Sequence, residues 1–269
     1  MAKKDIDIKK TSKLRGFKIL VYHRIGPEDA PMDGLTVPRG EFFQQMDTIR
    51  RHYKPMRLGE LVGRMRQGDS IDPRSLAVTF DDGYADTYEV ARPILNRFHI
   101  PATLFVTAGY IDGDFISFKG VRMLTWKRLR KMASENMEIG SHTISHPTLS
   151  ACSLKKAEFE IRHSKKILEE KLCLPVSLFA YPYGHAGAFN QEIQKIVRDC
   201  GYEAACTTLP GDNTLGTDPY QLRRISFGKN QIRRFAFELH DFFSGKAVPD
   251  LRGTIHGLNR HTRRCWKKR

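Results

Sequence analysis

Two adjacent aspartates at the end of an apolar run are the first residues in this sequence with the means to do chemistry. Residues 76–80 (LAVTF) lead directly into Asp81, Asp82 and Gly83. Because neighbouring side chains on an extended segment point in different directions, one carboxylate can bind a metal ion while the other faces a substrate. Gly83 permits a tight turn directly afterwards. Considered alone, these residues are also typical of a turn with solvated acids.

Two histidines four residues apart, His142 and His146, follow a short apolar run at 138–140. On a helical turn this spacing places both imidazoles on one side, as in many metal sites. Zinc binds histidine nitrogen and aspartate oxygen, and a catalytic zinc site keeps one position open for water. The two histidines and one aspartate would therefore give three ligands and a free position. In isolation, the pair is also compatible with two surface histidines.

A third feature is the aromatic turn Phe-Ala-Tyr-Pro-Tyr-Gly at residues 179–184, again at the end of an apolar run. Its aromatic rings can line a groove of the width of a sugar. A backbone N–H near the turn can donate a hydrogen bond to an oxyanion. An aromatic turn without a catalytic role accounts for these residues equally well when they are considered alone. The three features together, in this order, are far more specific than any one of them.

The combined motifs resemble the signatures of the polysaccharide deacetylases, the NodB-homology proteins of carbohydrate esterase family four. The matching segments are TFDDGY at 79–84, SHTISHP at 141–147 and FAYPYG at 179–184, with weaker matches ILVYHRI at 19–25 and PATLFVT at 101–107. The resemblance extends over residues 17–228. It implies an α/β fold of NodB-like type, a distorted (β/α) barrel with about seven parallel strands.

The resemblance also implies a chemistry and assigns roles to individual residues. It implies a divalent metal, usually zinc, with Asp82, His142 and His146 as ligands. Asp81 resembles the general base that takes a proton from the metal-bound water, and the backbone N–H of Tyr183 would help to hold the oxyanion. The water attacks the amide carbonyl and acetate leaves. The expected substrate is an N-acetylated sugar, in a polysaccharide, an oligosaccharide or a lipid-linked precursor.

Two departures from the family pattern leave roles open. Many members carry an arginine shortly before the Pro-aromatic-Gly turn, where it orients the base, but this chain has none there. Arg224 resembles an arginine that some members place near the end of the barrel and is the candidate replacement. The late general-acid histidine of the family matches only at His240, in a segment of helical pattern. His23 and His185 are the other candidate acids, and His163 is expected on a helix surface.

Short apolar runs predict the buried strands that must position these residues. They lie at 18–22, 76–80, 102–107, 138–140, 177–180 and 204–208, with a weaker run at 224–227. Helical periodicity occurs at 41–51, 125–133, 153–172 and 190–199, and also at 86–98, where Pro93 must break or kink the helix. Alternating strands and helices favour a parallel sheet, either a (β/α) barrel or a flat doubly wound sheet. Both place active residues beyond the carboxyl ends of the strands.

Basic residues are concentrated at the two ends of the chain. The net charge is +15, and residues 1–18 hold seven basic and two acidic residues while residues 251–269 hold seven basic and no acidic residues. A nearly balanced middle argues against a nucleic-acid partner. Basic tails suit an anionic membrane surface or serve solubility. We therefore predict a basic tail at 1–16, the deacetylase domain at 17–245 and a second basic tail at 246–269.

Other sequence features bound the location and the competing functions. No apolar run approaches a membrane span and the first residues lack an apolar signal core, which predicts a cytoplasmic protein with peripheral contact at the inner face of the membrane. Five cysteines without C-x-x-C spacing predict no disulfide framework. The competing enzyme function is hydrolysis of another non-peptide C–N bond, in a formamide, cyclic ureide or imide. A glycan-binding protein without catalysis is disfavoured because all four motif aspartates and histidines are present.

Overall fold

The structure of the protein is a computed structural model, which describes residues 16–29, 33–112, 121–135 and 137–227, and also residues 229, 231 and 235. The chain divides into two compact units, residues 1–232 and 233–269, and every element named below lies in the first. Most of both predicted tails lies outside the described residues, as does His240, so the domain limits at 17–245 stay predictions. Within the described residues, no helix combines the length and the apolar character that a membrane crossing requires.

A curled, mostly parallel sheet forms the centre of the fold. The strands of the described residues are β1 (Gly16–Tyr22), β2 (Arg24–Gly26), β3 (Thr36–Pro38), β4 (Lys54–Pro55), β5 (Ser75–Phe80), β6 (Ala102–Val106), β7 (Met137–Ser141), β8 (Leu178–Ala180), β9 (Ala204–Cys206), β10 (Asn213–Thr214) and β11 (Ile225–Ser226). The order is β10-β1-β5-β6-β7-β8-β9. Among the strand pairings of the described residues, β10–β1 alone is antiparallel. Every residue of β1, β5 and β6 is buried, which confirms the prediction that both faces of these strands are covered.

The two ends of this sheet are joined by the segment 222–226. Leu222 forms a bridge with Cys206 of β9, and Ile225 of β11 pairs in parallel with Leu20 of β1. The parallel strands β1, β5 to β9 and β11 therefore form a curled sheet whose two ends are linked through this segment. The predicted distorted (β/α) barrel is confirmed, and the flat doubly wound alternative is wrong. The closing contacts involve only a few residues, which makes the barrel irregular.

Helices connect the parallel strands. Those of the described residues are α1 (Arg39–His52), α2 (Leu58–Gln67), α3 (Arg92–Phe98), α4 (Trp126–Ala133), α5 (Leu154–Leu172) and α6 (Gln191–Asp199). The side-chain oxygens of Thr125, Ser153 and Asn190 cap α4, α5 and α6 by accepting a backbone N–H three residues later. A π-helical turn, Thr87–Ala91, precedes α3, and Pro93 lies in the first turn of α3, so the change of helix type falls where Pro93 was predicted to break or kink the helix.

Two features of the helices differ from the sequence analysis. The sequence analysis did not predict helix α2, although its residues Leu61 and Val62 pack in the same apolar cluster as the strand residues Phe17 and Phe105. Leu154, an apolar residue of the predicted helix 153–172, is 53% exposed because α5 begins there and its buried face starts one turn later. That buried face contains two polar residues among apolar ones, and it runs through Ala157, Glu160, Ile161, Ser164, Leu168 and Leu172.

Candidate active site

Three predicted metal ligands come together at the carboxyl ends of the strands. Asp82 follows β5 and His142 follows β7, while His146 lies in the loop after His142. One ligand atom from each residue lies within 4.8 Å of the other two. Asp82 Oδ1 is 3.5 Å from Nε2 of His142 and 3.3 Å from Nε2 of His146. The structure therefore gathers one oxygen and two nitrogens from residues up to 64 positions apart in the sequence.

Left-handed backbone conformations shape this site. Asp82, Thr143, His146 and Tyr183 have φ values of 72°, 68°, 56° and 62°. Such values are uncommon outside glycine and cluster at sites where the surrounding structure over-determines them. Two details of the sequence analysis are therefore wrong. The side chains of Asp81 and Asp82 diverge because the backbone at Asp82 leaves the strand direction, and not because side chains alternate along an extended segment. The two histidines lie on an irregular loop and not on a helical turn.

His142 is presented as a neutral ligand. Its Nδ1 is 2.7 Å from the carbonyl oxygen of Ala180, so Nδ1 carries the proton and donates it. Nε2 is then the unprotonated nitrogen, and it is the one that faces Asp82. Burial lowers the pKa of His142 to about 4, so the ring is neutral at physiological pH. Two histidines and a carboxylate with one ring oriented by a carbonyl fit a divalent cation of the zinc type.

Asp81 forms a buried ion pair with Arg224. The guanidinium donates two hydrogen bonds of 2.7 Å, one to each carboxylate oxygen, and its Nε donates to the carbonyl of Thr207. Both residues are about 1% exposed. Burial is the largest single influence and raises the pKa of Asp81, but the charge and hydrogen bonds of Arg224, together with the nearby histidines, outweigh it, so the pKa lies below its ordinary value. Asp81 is therefore an ionised carboxylate fixed in one orientation.

The aromatic turn at residues 179–184 lies beside the three metal-ligand candidates. The ring of Tyr183 lies 4.8 Å from that of His146 and is 52% exposed. Among the described residues, none accepts a hydrogen bond from the N–H of Tyr183, whereas its carbonyl accepts one from Thr208 Oγ1 at 2.8 Å. The turn is tight because Gly184 N–H bonds back to Pro182 O at 2.7 Å. The Tyr183 side chain thus forms one wall of the site, and its N–H is available to a ligand.

Candidate acids differ in their distance from this centre. His23 follows β1 at the level of Asp81, since Tyr22 pairs with Phe80 and the Tyr22 carbonyl accepts the Asp81 N–H at 2.9 Å. The charge of a protonated His23 is among the causes that lower the pKa of both Asp81 and Asp82. His185 is exposed and its Nδ1 accepts the N–H of Gly187.

Of two further histidines in the sequence analysis, one lies on a helix away from the site and the other lies outside the described residues. His163 is half-buried on α5, and its ring stacks on Phe159 at 4.1 Å, so it lies at the helix surface as predicted. His240 lies outside the described residues, so its role stays a prediction. Of the three candidate acids, His23 is the one that the described residues bring beside the aspartates.

Several side chains around the ligands are absent from the sequence analysis. Glu160 of α5 accepts hydrogen bonds from the loop that carries the histidines, and Tyr110 donates to the carbonyl of Ser145 in that loop at 2.9 Å. On the other side, Asp86 accepts from Arg24 Nε at 3.1 Å, and burial raises the pKa of Asp86 to about 6. One signal was available for Glu160: a charged residue within the apolar stripe of an amphipathic helix implies a buried partner.

Comparison with known sequences supports the grouping of these motifs. Residues 68–205 match the polysaccharide deacetylase family. YxkH of Bacillus subtilis, named as a polysaccharide deacetylase, is 30% identical over 217 residues, which cover 80% of this chain and 73% of that protein. The poly-β-1,6-N-acetyl-D-glucosamine N-deacetylase of Staphylococcus epidermidis is 26% identical over 228 residues and 77% of each chain.

Solved structures agree in fold. The Streptococcus pyogenes deacetylase PplD, in complex with acetate, superposes with a TM-score of 0.72 at 26% identity and covers 83% of this chain and 97% of that one. IcaB from Ammonifex degensii has a TM-score of 0.73 at 24% identity, covering 84% and 97%, which shows the shared fold. The family match, the relatives and the barrel give one answer: this chain belongs to the polysaccharide deacetylases, a family of hydrolases.

Proposed function

We propose that this protein removes N-acetyl groups from an N-acetylated glycan with the help of a bound zinc ion. One observation carries the proposal. An ionised carboxylate, Asp81, is fixed by Arg224 directly beside a cluster of one oxygen and two nitrogen donors. A base next to a three-donor metal site with an open position is the arrangement that metal-assisted amide hydrolysis requires.

Asp82, His142 and His146 would hold the cation. When bound there, a divalent ion supplies a water of lowered pKa and polarises the carbonyl of the substrate. The donor set favours zinc over magnesium or calcium, which prefer oxygen ligands alone. The neutral state of His142 at physiological pH supports this assignment, because no proton must leave its Nε2 before a metal binds.

Asp81 would act as the general base. Its two oxygens each accept one hydrogen bond from Arg224, and a carboxylate oxygen can accept a second. One oxygen can therefore take a proton from the attacking water while the arginine keeps the carboxylate in place. Arg224 would thus be a positioning residue that orients the base, which is the role that the family resemblance left open.

The remaining roles concern the charge and the proton that appear as the amide bond breaks. The free N–H of Tyr183 would donate to the carbonyl oxygen as negative charge develops on it. The leaving amine needs a proton, and His23 would supply it from the side of Asp81. The register of β1 and β5, which brings His23 level with Asp81, supports this choice over the exposed His185.

The substrate class follows from the relatives together with the exposure of the site. The side chain of His146 is 21% exposed and the ring of Tyr183 is 52% exposed, so these parts of the site open to solvent. An exposed aromatic ring beside a metal site suits the apolar face of a sugar. We propose β-1,6-linked N-acetylglucosamine oligomers as the first substrates to test, with lipid-linked N-acetyl sugars as the second group.

The test measures acetate release from both substrate groups by the zinc-loaded protein. The parent is compared with Asp81→Asn, which removes the base and keeps the shape. Asp72→Asn is the matched control, because Asp72 lies in the exposed turn before the opposite end of the same strand. We expect release by the parent and the control, and a loss of about 10²–10⁴-fold in kcat for Asp81→Asn.

Each alternative outcome has a definite meaning. Equal release by Asp81→Asn and by the parent would refute the role of Asp81 as base. A fully zinc-loaded parent that releases no acetate from any glycan would refute the glycan assignment and favour formamides, cyclic ureides or imides. The peripheral, cytoplasmic location rests on residues outside those described and stays a prediction, which a salt wash of isolated membranes tests.

A further inference from the structure

Glu160 is a buried carboxylate on α5 whose hydrogen bonds all go to the loop between the two metal-site histidines. Its residue is 5% exposed. Oε2 accepts the N–H of Ile144 and the N–H of Ser145, each at 3.0 Å, and Oε1 accepts Ser145 Oγ at 2.6 Å. No lysine or arginine of the described residues forms an ion pair with it. The hydrogen-bond donors of this one loop therefore stabilise the Glu160 carboxylate.

The carbonyl groups of the same two residues accept hydrogen bonds from the turn after β6. The carbonyl of Ile144 accepts the N–H of Gly109 at 2.9 Å, and the carbonyl of Ser145 accepts the hydroxyl of Tyr110 at 2.9 Å. A Cβ on Gly109 would lie 2.6 Å from the Ile144 carbonyl oxygen, so this approach requires glycine. Both the N–H and the carbonyl of residues 144 and 145 are thus fixed from two neighbouring elements.

His146 follows directly and carries a φ of 56°, a conformation that costs free energy for a residue with a side chain. Such a conformation persists only where the surrounding contacts over-determine it. An unpaired buried carboxylate is also costly, so Glu160 and the N–H groups of the loop stabilise each other. Removal of the carboxylate would leave two backbone N–H groups without a partner and release the loop that aims Nε2 of His146.

We propose that Glu160 is a positioning residue that sets the metal affinity of the site by fixing the backbone that carries His146. The proposal rests on the proposed function only in taking Asp82, His142 and His146 as the metal ligands. The quantity that tests it is the affinity of the protein for zinc, which is measured without any substrate. It places a determinant of the site on α5, outside the segments that carry the ligands.

The test compares the zinc dissociation constants of folded variants by competition with a chromophoric chelator. Glu160→Leu removes all three acceptor bonds, and we expect its dissociation constant to rise by about 10–100-fold, the usual effect of losing a group that orients metal ligands. Glu160→Gln is the conservative variant. Its amide oxygen can accept the two N–H bonds and its NH₂ can donate to Ser145 Oγ, so it retains most of the affinity.

Glu158→Gln is the matched control on the same helix. The side chain of Glu158 is 49% exposed and, among the described residues, forms its ion pair with Arg162 one turn later, so the control removes an equal charge without touching the loop. We expect its zinc affinity to equal that of the parent. Melting temperatures of the metal-free variants report any general loss of stability and separate it from the change in affinity.

Ser145→Ala keeps the test decisive if Glu160→Leu does not fold. It deletes the single bond to Oε1 on an exposed residue, and we expect a smaller rise in the zinc dissociation constant. In a Glu160→Leu background that folds, the same change should have no further effect. Parental zinc affinity in both Ser145→Ala and any folded Glu160→Leu protein would overturn the proposal, as would Glu160→Gln as weak as Glu160→Leu.

The outcomes separate this proposal from the proposed function. A parent that binds zinc and releases no acetate refutes the glycan assignment while the affinity series still decides the role of Glu160. A parent that releases acetate, with an affinity series that is flat, refutes the role of Glu160 alone. A parent that binds no zinc refutes the metal assignment and, with it, this role of Glu160.

Discussion

Replacement of Arg224 by methionine should strongly destabilise the protein and do so in a pH-dependent way. Methionine matches the length of the arginine stem but carries no charge. The change leaves Asp81, about 1% exposed, without the two 2.7 Å hydrogen bonds that hold its charge. It also leaves the carbonyl of Thr207 without its Nε partner. The expected cost is therefore dominated by one buried, uncompensated carboxylate.

The magnitude follows from the bonds lost. A hydrogen bond to a charged group contributes about 1.5–3 kcal/mol, so two of them contribute about 3–6 kcal/mol. Removal of one partner from a buried ion pair costs about 3–5 kcal/mol. We therefore expect Arg224→Met to lower the free energy of unfolding by about 3–5 kcal/mol at neutral pH. The double variant Asp81→Asn/Arg224→Met should recover part of this loss, since it buries no charge.

The sign of the pH dependence is fixed by the direction of the pKa change. In the parent, the pKa of Asp81 lies below its ordinary value, so its stabilising contribution is present above the unfolded pKa of about 3.9. Without Arg224, burial is the dominant remaining influence on Asp81, and we expect its folded pKa to lie above the unfolded one. In the variant, the contribution of Asp81 to stability is then lost as pH rises through this raised folded pKa. The difference in stability between parent and variant should therefore widen as pH rises from about 4.5 to 7.

Urea unfolding of the metal-free proteins at about pH 4.5 and 7 measures this difference directly. The double variant serves as the control, because its stability difference from Arg224→Met isolates the buried charge. Two results would refute the reasoning. One is an Arg224→Met protein as stable as the parent at neutral pH. The other is a double variant no more stable than Arg224→Met, which would show that the cost lies in packing and not in the charge.

Three further predictions concern single residues. His142→Ala should abolish acetate release and weaken zinc binding, and excess zinc should restore little activity, as measured by activity against zinc concentration. His23→Ala should lower kcat by about 10²–10⁴-fold while the zinc dissociation constant stays at the parental value, and an unchanged kcat would exclude His23 as the acid. The folded pKa of Asp86 is about 6, whereas its ordinary pKa is 3.8. Its contribution to the free energy of unfolding is therefore present below pH 3.8 and falls by about 3 kcal/mol as pH rises through 6. Asp86→Asn should therefore gain stability relative to the parent between pH 4 and 7, and a gap independent of pH would contradict the burial argument.

Local sequence signals predicted the strands and helices of the barrel because those signals are strong and short in range. Thr125, Ser153 and Asn190 begin predicted helices and prove to be capping residues. The wholly buried β1 and β5 are apolar at consecutive positions. Helix α2 escaped prediction because arginines and glycines interrupt its apolar positions, and its burial depends on the barrel residues it packs against.

The site was predictable in its residue types and less so in its geometry. The motifs identified Asp81, Asp82, His142 and His146, and the structure brings all four together. The sequence could not tell that the histidine loop is irregular, because its shape depends on the left-handed conformations of Thr143 and His146. Contacts between distant segments set those conformations, and periodicity within one segment carries no information about them.

Arg224 shows how the closure of the barrel and the chemistry depend on each other. It lies between Leu222, which bridges to β9, and Ile225, which pairs with β1. The segment that joins the two ends of the sheet thus delivers the guanidinium to Asp81 across the interior. Loss of that pairing would free the base, and loss of the ion pair would weaken the closing segment. A barrel closed by so few backbone contacts is therefore stabilised, in part, by the same ion pair that orients the base.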